Sequence, residues 1–432
     1  MRAAVAVRRL LAEDCGEVVA QHLHSCDELP KGLGATLQGL GLPLQLREPS
    51  SQVRGGHANP EKRGPTKLRP LCRLVARQSV AADLAEVLDS PEVAALVEEL
   101  DALHWTGRRG FGARALVGAC LVKSLYALPT WTRTARLIHE HAALTDILGN
   151  CPSHWSMYRF SRKLREHKPL MDACLARVSA ALRAEHPEMG RDVAIDGSNM
   201  PAYSSGMREH PSDSDASWGH RSAVSHRKAG SYLGFKLHAA VCARTGLPLA
   251  WQVEPARVHD SQLVEPLLDS LLYRGFAPVT VAADKAYDSE RIHAACEARN
   301  ARPIIPIRAL GKLGENQRGV PPCEHGDWVF AGADFKRRAA KYRCPTGECS
   351  PKSVWIKPDR RHPLIPRESK RWRELYNGRS AVEREFATLK CRFGLSALSV
   401  RGLERVRLHT DLTMLARLSL ALARARTVAL AA

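Results

Sequence analysis

The sequence predicts a mixed α/β fold preceded by a helical region. Three observations carry this. Apolar residues recur at helical spacing from about Val80 to His186, the period changes to two at Arg191, and from there strands alternate with helices. The chain has 432 residues, 44% of them hydrophobic, enough for two or three domains with ample core. Lys and Arg outnumber Asp and Glu by 64 to 45, a formal charge of +19. That favours an anionic partner, most simply nucleic acid. The bland alternative is a composition that merely prefers Arg.

Twelve cysteines are scattered singly, which is no disulfide framework of the small secreted kind. The segment MRAAVAVRRLLAEDCGE lacks an apolar run long enough for a signal peptide. The apolar stretch LTMLARLSLALARARTVALAA is interrupted by Arg417, Arg424 and Arg426, so it makes a poor membrane span. The expectation is a soluble cytoplasmic protein, associated with the nucleoid, with no membrane partner.

Residues 1–80 form a basic, linker-like arm; Ser50 to Arg69 is rich in Gly, Pro, Ser and basic residues, and no function is assigned to it. Residues 81–188 read as helical. Ser90-Pro91 supplies an N-cap and a proline at the first helical position, and Val93, Leu96 and Leu100 line one face. A second helix runs from about Gly112 to Leu128 and stops at Pro129. A third starts after Thr130 and ends near Gly149. A fourth, after Ser153, turns Met157, Phe160 and Leu164 inward and Arg159, Arg162, Lys163 and Arg165 outward. A fifth covers Leu170 to Leu182. Short connections between small helices suit a helix-turn-helix-like DNA-binding region. The alternative is a helical layer that packs on the rest and touches no ligand.

Residues 189–400 carry the α/β pattern. DVAIDGSNM sets Val193 and Ile195 on one face and Asp192, Ala194 and Asp196 on the other, with Asp196 at the strand end beside a Gly-Ser turn. A polar loop follows from Pro201 to Gly230. YLGFKLHAAVCA and LPLAWQVEPARV, joined by Arg-Thr-Gly, read as an antiparallel hairpin. Asp260-Ser261 caps a helix to Tyr273. APVTVAADKAYDS is a strand with Asp284 at its end; Asp288 or Ser289 caps the next helix, with Asp288 preferred, and ARPIIPIR is a further strand. Residues 309–373 break the pattern and read as an insertion with short strand-like pieces, DWVFAG and SVWIKP. Cys323-x-His325 and Cys344-x4-Cys349 fall inside it; they offer zinc ligands at loose spacing, and incidental cysteines are the competing reading. Residues 401–432 close with a helix from about Leu403 to Arg426, expected to pack on the α/β part. This element order looks like an RNase H-like domain with an insertion.

Tyr376 to Phe393, YNGRSAVEREFATLKCRF, reads as one helix. At about 100° per residue from Tyr376, Arg379 falls at about −60°, Glu383 at about −20° and Lys390 at about −40°. These four polar groups share a narrow stripe. Leu375, Val382, Phe386, Leu389 and Phe393 form the adjacent apolar stripe, and Glu385 points nearly opposite to Glu383. Three carboxylates then stand out, Asp196, Asp284 and Glu383, about 90 and 100 residues apart. If the strands bearing the aspartates are parallel neighbours, the carboxylates meet at one sheet edge and the helix brings Glu383 over it. Three carboxylates in one place repel and demand a hard divalent cation, Mg²⁺ or Mn²⁺, in a two-ion arrangement. The rivals are weaker: Asp288 precedes a helix, Glu385 lies on the wrong face, Asp192 opens a strand and Asp260 opens a helix.

Tyr376-x2-Arg379-x3-Glu383-x6-Lys390 resembles the signature of DDE transposases of bacterial insertion sequences. IDGSNM is similar to that family's first-aspartate motif. ADKAYDS is similar to its second, which more often has Gly where this chain has Ala286. GFKLHAAV, VHDSQLVEPLLDS and PSHWSMYRFSRKLREH also resemble family segments. The resemblance implies that Asp196, Asp284 and Glu383 bind the metal ions and are catalytic. It implies that Arg379 and Lys390 hold phosphates and that Tyr376 positions DNA backbone or a base, with Lys236 and Trp218 as further DNA contacts. It also implies cleavage of the element's ends, joining of the 3′-hydroxyls to target DNA, and action as a homodimer on the terminal inverted repeats. The alternatives are an inactive or domesticated DNA-binding protein, and an RNase H-like nuclease without strand transfer.

Overall fold

The structure, a computed structural model, describes residues 80–103, 110–207, 210–221, 229–308 and 322–431. Apart from Val80, the arm expected over residues 1–80 lies outside the described residues. Among the described residues, seven helices precede the sheet: α1 (Val80–Asp89), α2 (Pro91–Ala102), α3 (Ala113–Leu125), α4 (Trp131–Glu140), α5 (Ala142–Leu148), α6 (His154–Glu166) and α7 (Lys168–Glu185). Their starts follow local chemistry. Thr130 accepts a hydrogen bond from the Arg133 N–H and Ser153 from the Ser156 N–H, each satisfying a donor the helix leaves unpaired. The segment expected as one helix from Thr130 to Gly149 is two, because His141 adopts an extended backbone between α4 and α5. The helix expected to reach Leu128 ends at Leu125. α3 is buried almost all round, as expected of a helix at the centre of a layer. A Cβ at Gly118 would collide with Leu148, so glycine is what lets α5 close on α3.

The main sheet is mixed. β1 (Asp192–Pro201) lies between β3 (Gly230–Cys242), which is antiparallel to it, and β5 (Thr280–Ala282), which is parallel; β6 (Arg302–Ile304) follows β5 in parallel. β2 (Ser217–Arg221) and β4 (Pro248–Pro255) share the far edge of β3, one at each end. The segment expected as a polar loop from Pro201 to Gly230 therefore contains a strand, which pairs Trp218 with Leu233. α8 (Val264–Tyr273) connects β4 to β5, and α9 (Glu290–Ala298) connects β5 to β6. The region after β6 holds a hairpin, β7 (Pro322–Cys323) with β8 (Gly326–Asp327), and a three-stranded sheet of β9 (Val329–Asp334), β10 (Ala339–Arg343) and β11 (Ser353–Ile356).

α10 (Lys370–Asn377) and α11 (Ser380–Arg392) replace the single helix expected from Tyr376 to Phe393. The junction at Gly378 and Arg379 keeps helical angles but tightens to i→i−3 bonds. A Cβ on Gly378 would stand 3.1 Å from the Ala243 Cβ, in the turn after β3, and 3.0 Å from the Leu375 carbonyl, so the junction has little room for a side chain. The apolar stripe of α11 is buried as read: Val382, Phe386, Leu389 and Phe393 enter the core.

α12 (Leu403–Ala431) joins the two layers, packing on α1, α3, α7 and β4. The largest hydrophobic core among the described residues runs through the helices and the sheet. The arginines that interrupt this apolar helix are all paired: Arg417 with Glu385 at 2.8 Å, Arg424 with Asp83 at 2.7 Å and Arg426 with Glu92 at 2.7 Å. No helix among the described residues is long and apolar enough to cross a membrane.

One cation inside this core has a measurable cost. Lys123 on α3 is 6% exposed, and its Nζ lies 3.4 Å from His409 Nδ1. His409 Nε2 faces the Leu395 carbonyl at 3.2 Å, so it carries the ring proton and Nδ1 accepts from the ammonium. Burial lowers Lys123 to about 8 from 10.5. Between those values the unfolded chain holds the extra proton, so stability rises with pH through that window. Measured by urea unfolding, the wild type is expected to gain about 3 kcal/mol relative to Lys123→Met between pH 7 and pH 11. A pH-independent difference would refute the burial of a charged Lys123.

Candidate active site

The register of the sheet builds the site. Ala194 on β1 pairs with Ala282 on β5, and Asp196 and Asp284 each lie two residues beyond that rung. Because side chains alternate along a strand, Asp196 shares the face of Ala194. Asp196 is not at a strand end, as expected, but within β1, which continues to Pro201 against β3. It stands where the parallel partner stops, and the Gly-Ser pair after it is strand, not turn. β5 ends at Ala282, and Asp284 caps a short 3₁₀ turn, accepting from the Ala286 N–H at 2.7 Å.

Glu383 arrives on the first turn of α11. Arg379 links it to the sheet: its guanidinium lies 2.7 Å from Glu383 Oε1 and 3.5 Å from Asp196 Oδ2. Burial, with the charges of Asp284 and Asp260 nearby, raises Asp196 to about 6, against the opposing pull of the Gly197 N–H and Arg379. Arg379 thus links Asp196 to Glu383, and Asp284 lies close enough for its charge to act on Asp196. Carboxylate oxygens of this kind suit a hard divalent cation, and burial is what makes Asp196 resist ionising without one.

The remaining polar stripe is placed as follows. Tyr376 stacks on Trp372 with ring centroids 4.9 Å apart, and the Arg379 guanidinium stands 5.9 Å from the Tyr376 ring. Lys390 is half-buried near the end of α11. Trp218 is 55% exposed on β2. Lys236 is largely buried and forms an ion pair with Asp260 at 2.9 Å. Glu385 points away from the site and into the core, where Arg417 forks onto both its oxygens.

Sequence reasoning misjudged two acidic residues. Asp260 does not cap a helix; the His259 ring takes that role, accepting from the Ser261 N–H. Asp260 instead faces Lys236 and lies 3.3 Å from His238 Nδ1, and a Cβ on Gly197 would come within 2.8 Å of Oδ1. It therefore sits against the backbone that follows Asp196. Burial lowers His238 to about 4, so this ring is neutral. Asp288 does not cap α9 either; Ser289 does, accepting from the Ile292 N–H. Asp288 is fully buried and receives a two-pronged bond from Arg360 at 2.9 and 2.7 Å, with the Arg308 N–H at 2.8 Å. Tyr287 was also missed. It is buried, feels the charges of Asp196, Asp260 and Asp284, and its hydroxyl has no partner among the described residues. Its signal was the ADKAYDS motif itself, where the Tyr follows Asp284 by three residues.

Residues 187–418, more than half of the chain, match the family described as transposase DDE domain. No curated protein matches the sequence. Among solved structures, the chain is similar to a piggyBac transposase seen by cryo-EM in a synaptic complex with hairpin DNA. The two are 12% identical with a TM-score of 0.40, over 85% of this chain and 78% of that one.

Proposed function

The chain belongs to the transposase DDE domain family, and from that premise we propose that it cuts the ends of an insertion sequence by metal-dependent hydrolysis and joins the freed 3′-hydroxyls to target DNA. The observation that carries this is the β1–β5 register, which leaves Asp196 and Asp284 equally far beyond one rung, next to the Arg379 bridge to Glu383. The strand order β4-β3-β1-β5-β6, antiparallel then parallel, supports reading residues 189–400 as an RNase H-like catalytic domain with 309–373 inserted.

In this reading Asp196, Asp284 and Glu383 hold Mg²⁺ or Mn²⁺. When bound, a pair of such ions makes water or a 3′-hydroxyl nucleophilic and stabilises the leaving oxygen. Arg379, paired with two of these carboxylates, would fork onto a phosphate if freed from them, and Lys390 would add a point charge. Tyr376, held flat against Trp372, orients the backbone or a base, and the exposed Trp218 offers a further ring. Lys236 acts on DNA only if it leaves Asp260. The helical region, residues 81–188, binds DNA through α6, where exposed Trp155 and Tyr158 accompany exposed Arg159 and Arg162. Two chains act on paired terminal repeats.

The test is incubation of the full chain with DNA carrying the element's terminal repeats, with and without Mg²⁺. Metal-dependent nicks at the ends and strands joined to a second DNA are expected. Binding without cutting would mark a DNA-binding protein, and cutting without joining a nuclease.

A further inference from the structure

We propose that Cys323, His325, Cys344 and Cys349 bind one structural zinc ion, far in character from the carboxylate centre and with its own purpose. Two short turns supply the ligands. Cys323 and His325 flank Glu324 in the β7–β8 hairpin, and Cys344 and Cys349 bracket the loop between β10 and β11. Gly326 and Gly347, at φ +117 and +78, permit the two turns.

The ligand atoms lie near the spacing that tetrahedral zinc requires. Zinc at about 2.3 Å from sulfur and about 2.1 Å from nitrogen requires sulfurs roughly 3.8 Å apart and sulfur–nitrogen separations of roughly 3.5 Å. Here Cys323 Sγ lies 3.6 Å from Cys344 Sγ and 3.2 Å from Cys349 Sγ. His325 Nδ1 lies 3.3 Å from Cys349 Sγ and 3.9 Å from Cys344 Sγ. All four ligand atoms fall within 4.8 Å of one another.

The surrounding groups fit the same role. Glu348 Oε2 lies 3.2 Å from His325 Nε2, on the side of the ring away from the sulfurs. A carboxylate there fixes the proton on Nε2 and leaves the Nδ1 lone pair for a metal. The His325 N–H points to Cys323 Sγ at 3.4 Å, and Thr346 Oγ1 lies 3.3 Å from Cys344 Sγ. Both are donors suited to thiolates. Three soft sulfurs and one imidazole select zinc over the hard cation that oxygen ligands favour, and four protein ligands leave no open position, so this site is structural. Binding replaces the thiol protons, which are released to solvent.

The need for a staple is visible in the packing. The buried apolar core of this small sheet is Trp328, Ala340 and Tyr342, with Cys323, Val354 and Ile356 half-buried around it. So small a core does not hold two little sheets by itself; a metal or disulfide normally supplies the remainder. The module also covers the main sheet at its edge, where Phe335 lies 4.5 Å from the Arg302 guanidinium on β6 and Arg338 reaches Glu297 on α9.

The experiment uses the full chain, purified under reducing conditions and assayed for metal by mass spectrometry. One zinc per chain is expected, retained in Cys391→Ser and reduced to background in Cys323→Ser and Cys344→Ser. Because those variants could misfold, wild-type protein is also stripped and reloaded with Co²⁺. Intense visible bands of tetrahedral cobalt with thiolate charge transfer, bleached by an equimolar amount of Zn²⁺, are expected. No metal bound after reloading, zinc unchanged in both cysteine variants, or a Cys323–Cys349 disulfide in metal-free purified protein would each overturn the proposal.

Discussion

Asp196→Asn, Asp284→Asn and Glu383→Gln are each expected to lower Mg²⁺-dependent cleavage of terminal-repeat DNA by about a thousandfold or more, while DNA binding changes little. The size follows from position: a group beside a ligand costs about 10–100-fold when removed, and a ligand costs more. Asp260→Asn provides the graded comparison. Asp260 abuts the backbone after Asp196 and holds Lys236, so about a 10–100-fold loss is expected from it. Asp192→Asn, which touches only a bond from Thr280 Oγ1 and a half-exposed ion pair with Arg244 at 3.6 Å, should leave cleavage nearly intact. Gel assays of nicking alongside binding isotherms check all five. Full activity in any one of the first three would sink the assignment. pH adds a second signature. Asp196 sits at about 6, so below that pH it takes up a proton before a cation can bind. The Mg²⁺ needed for half-maximal cleavage should then rise about tenfold per pH unit.

Arg360→Ala is expected to destabilise the protein by about 3–5 kcal/mol, because it strands a charge that water cannot reach. Asp288 has no exposed side-chain surface. Burial alone would raise its carboxyl, but the Arg360 fork and the Arg308 N–H hold it below its ordinary 3.8. The stabilisation is therefore present above that value and lost as pH falls through the lower folded one. A urea midpoint measured at pH 7 tests the size, and a double-mutant cycle with Asp288→Ala tests the cause. If the two single changes simply add, the pair contributes nothing as a pair. A site effect should accompany it. Asp288 is four residues past Asp284, and Arg360 anchors the chain returning from the small sheet, so cleavage should fall with the local hold on Asp284.

Much of this was legible along the chain, and the exceptions have physical reasons. The period of two found β1, and the turn residues found the β3–β4 hairpin. The apolar stripe of α11 was read correctly from Val382 to Phe393, because burial of a helix face repeats at fixed spacing. What failed was local reasoning about groups whose partners are distant. Asp288 looked like a cap because it precedes a helix, yet its partner Arg360 is 72 residues away. Asp260 looked like a cap for the same reason, and Lys236 claimed it. Gly378 gave no sign of a helix break in the sequence, since the residue that crowds it, Ala243 in the turn after β3, is distant along the chain. β2 was hidden in a polar segment because only one of its edges is paired and little of it is buried.

The ion pairs that pin α12 to the first helices also set a timetable for synthesis. Asp83 and Arg424 are 341 residues apart. At roughly 5–20 residues per second the ribosome needs roughly 17–70 seconds between them. For that interval α1, and for most of it α3, stand without the helix that covers them, so their apolar flanks stay open until it is made.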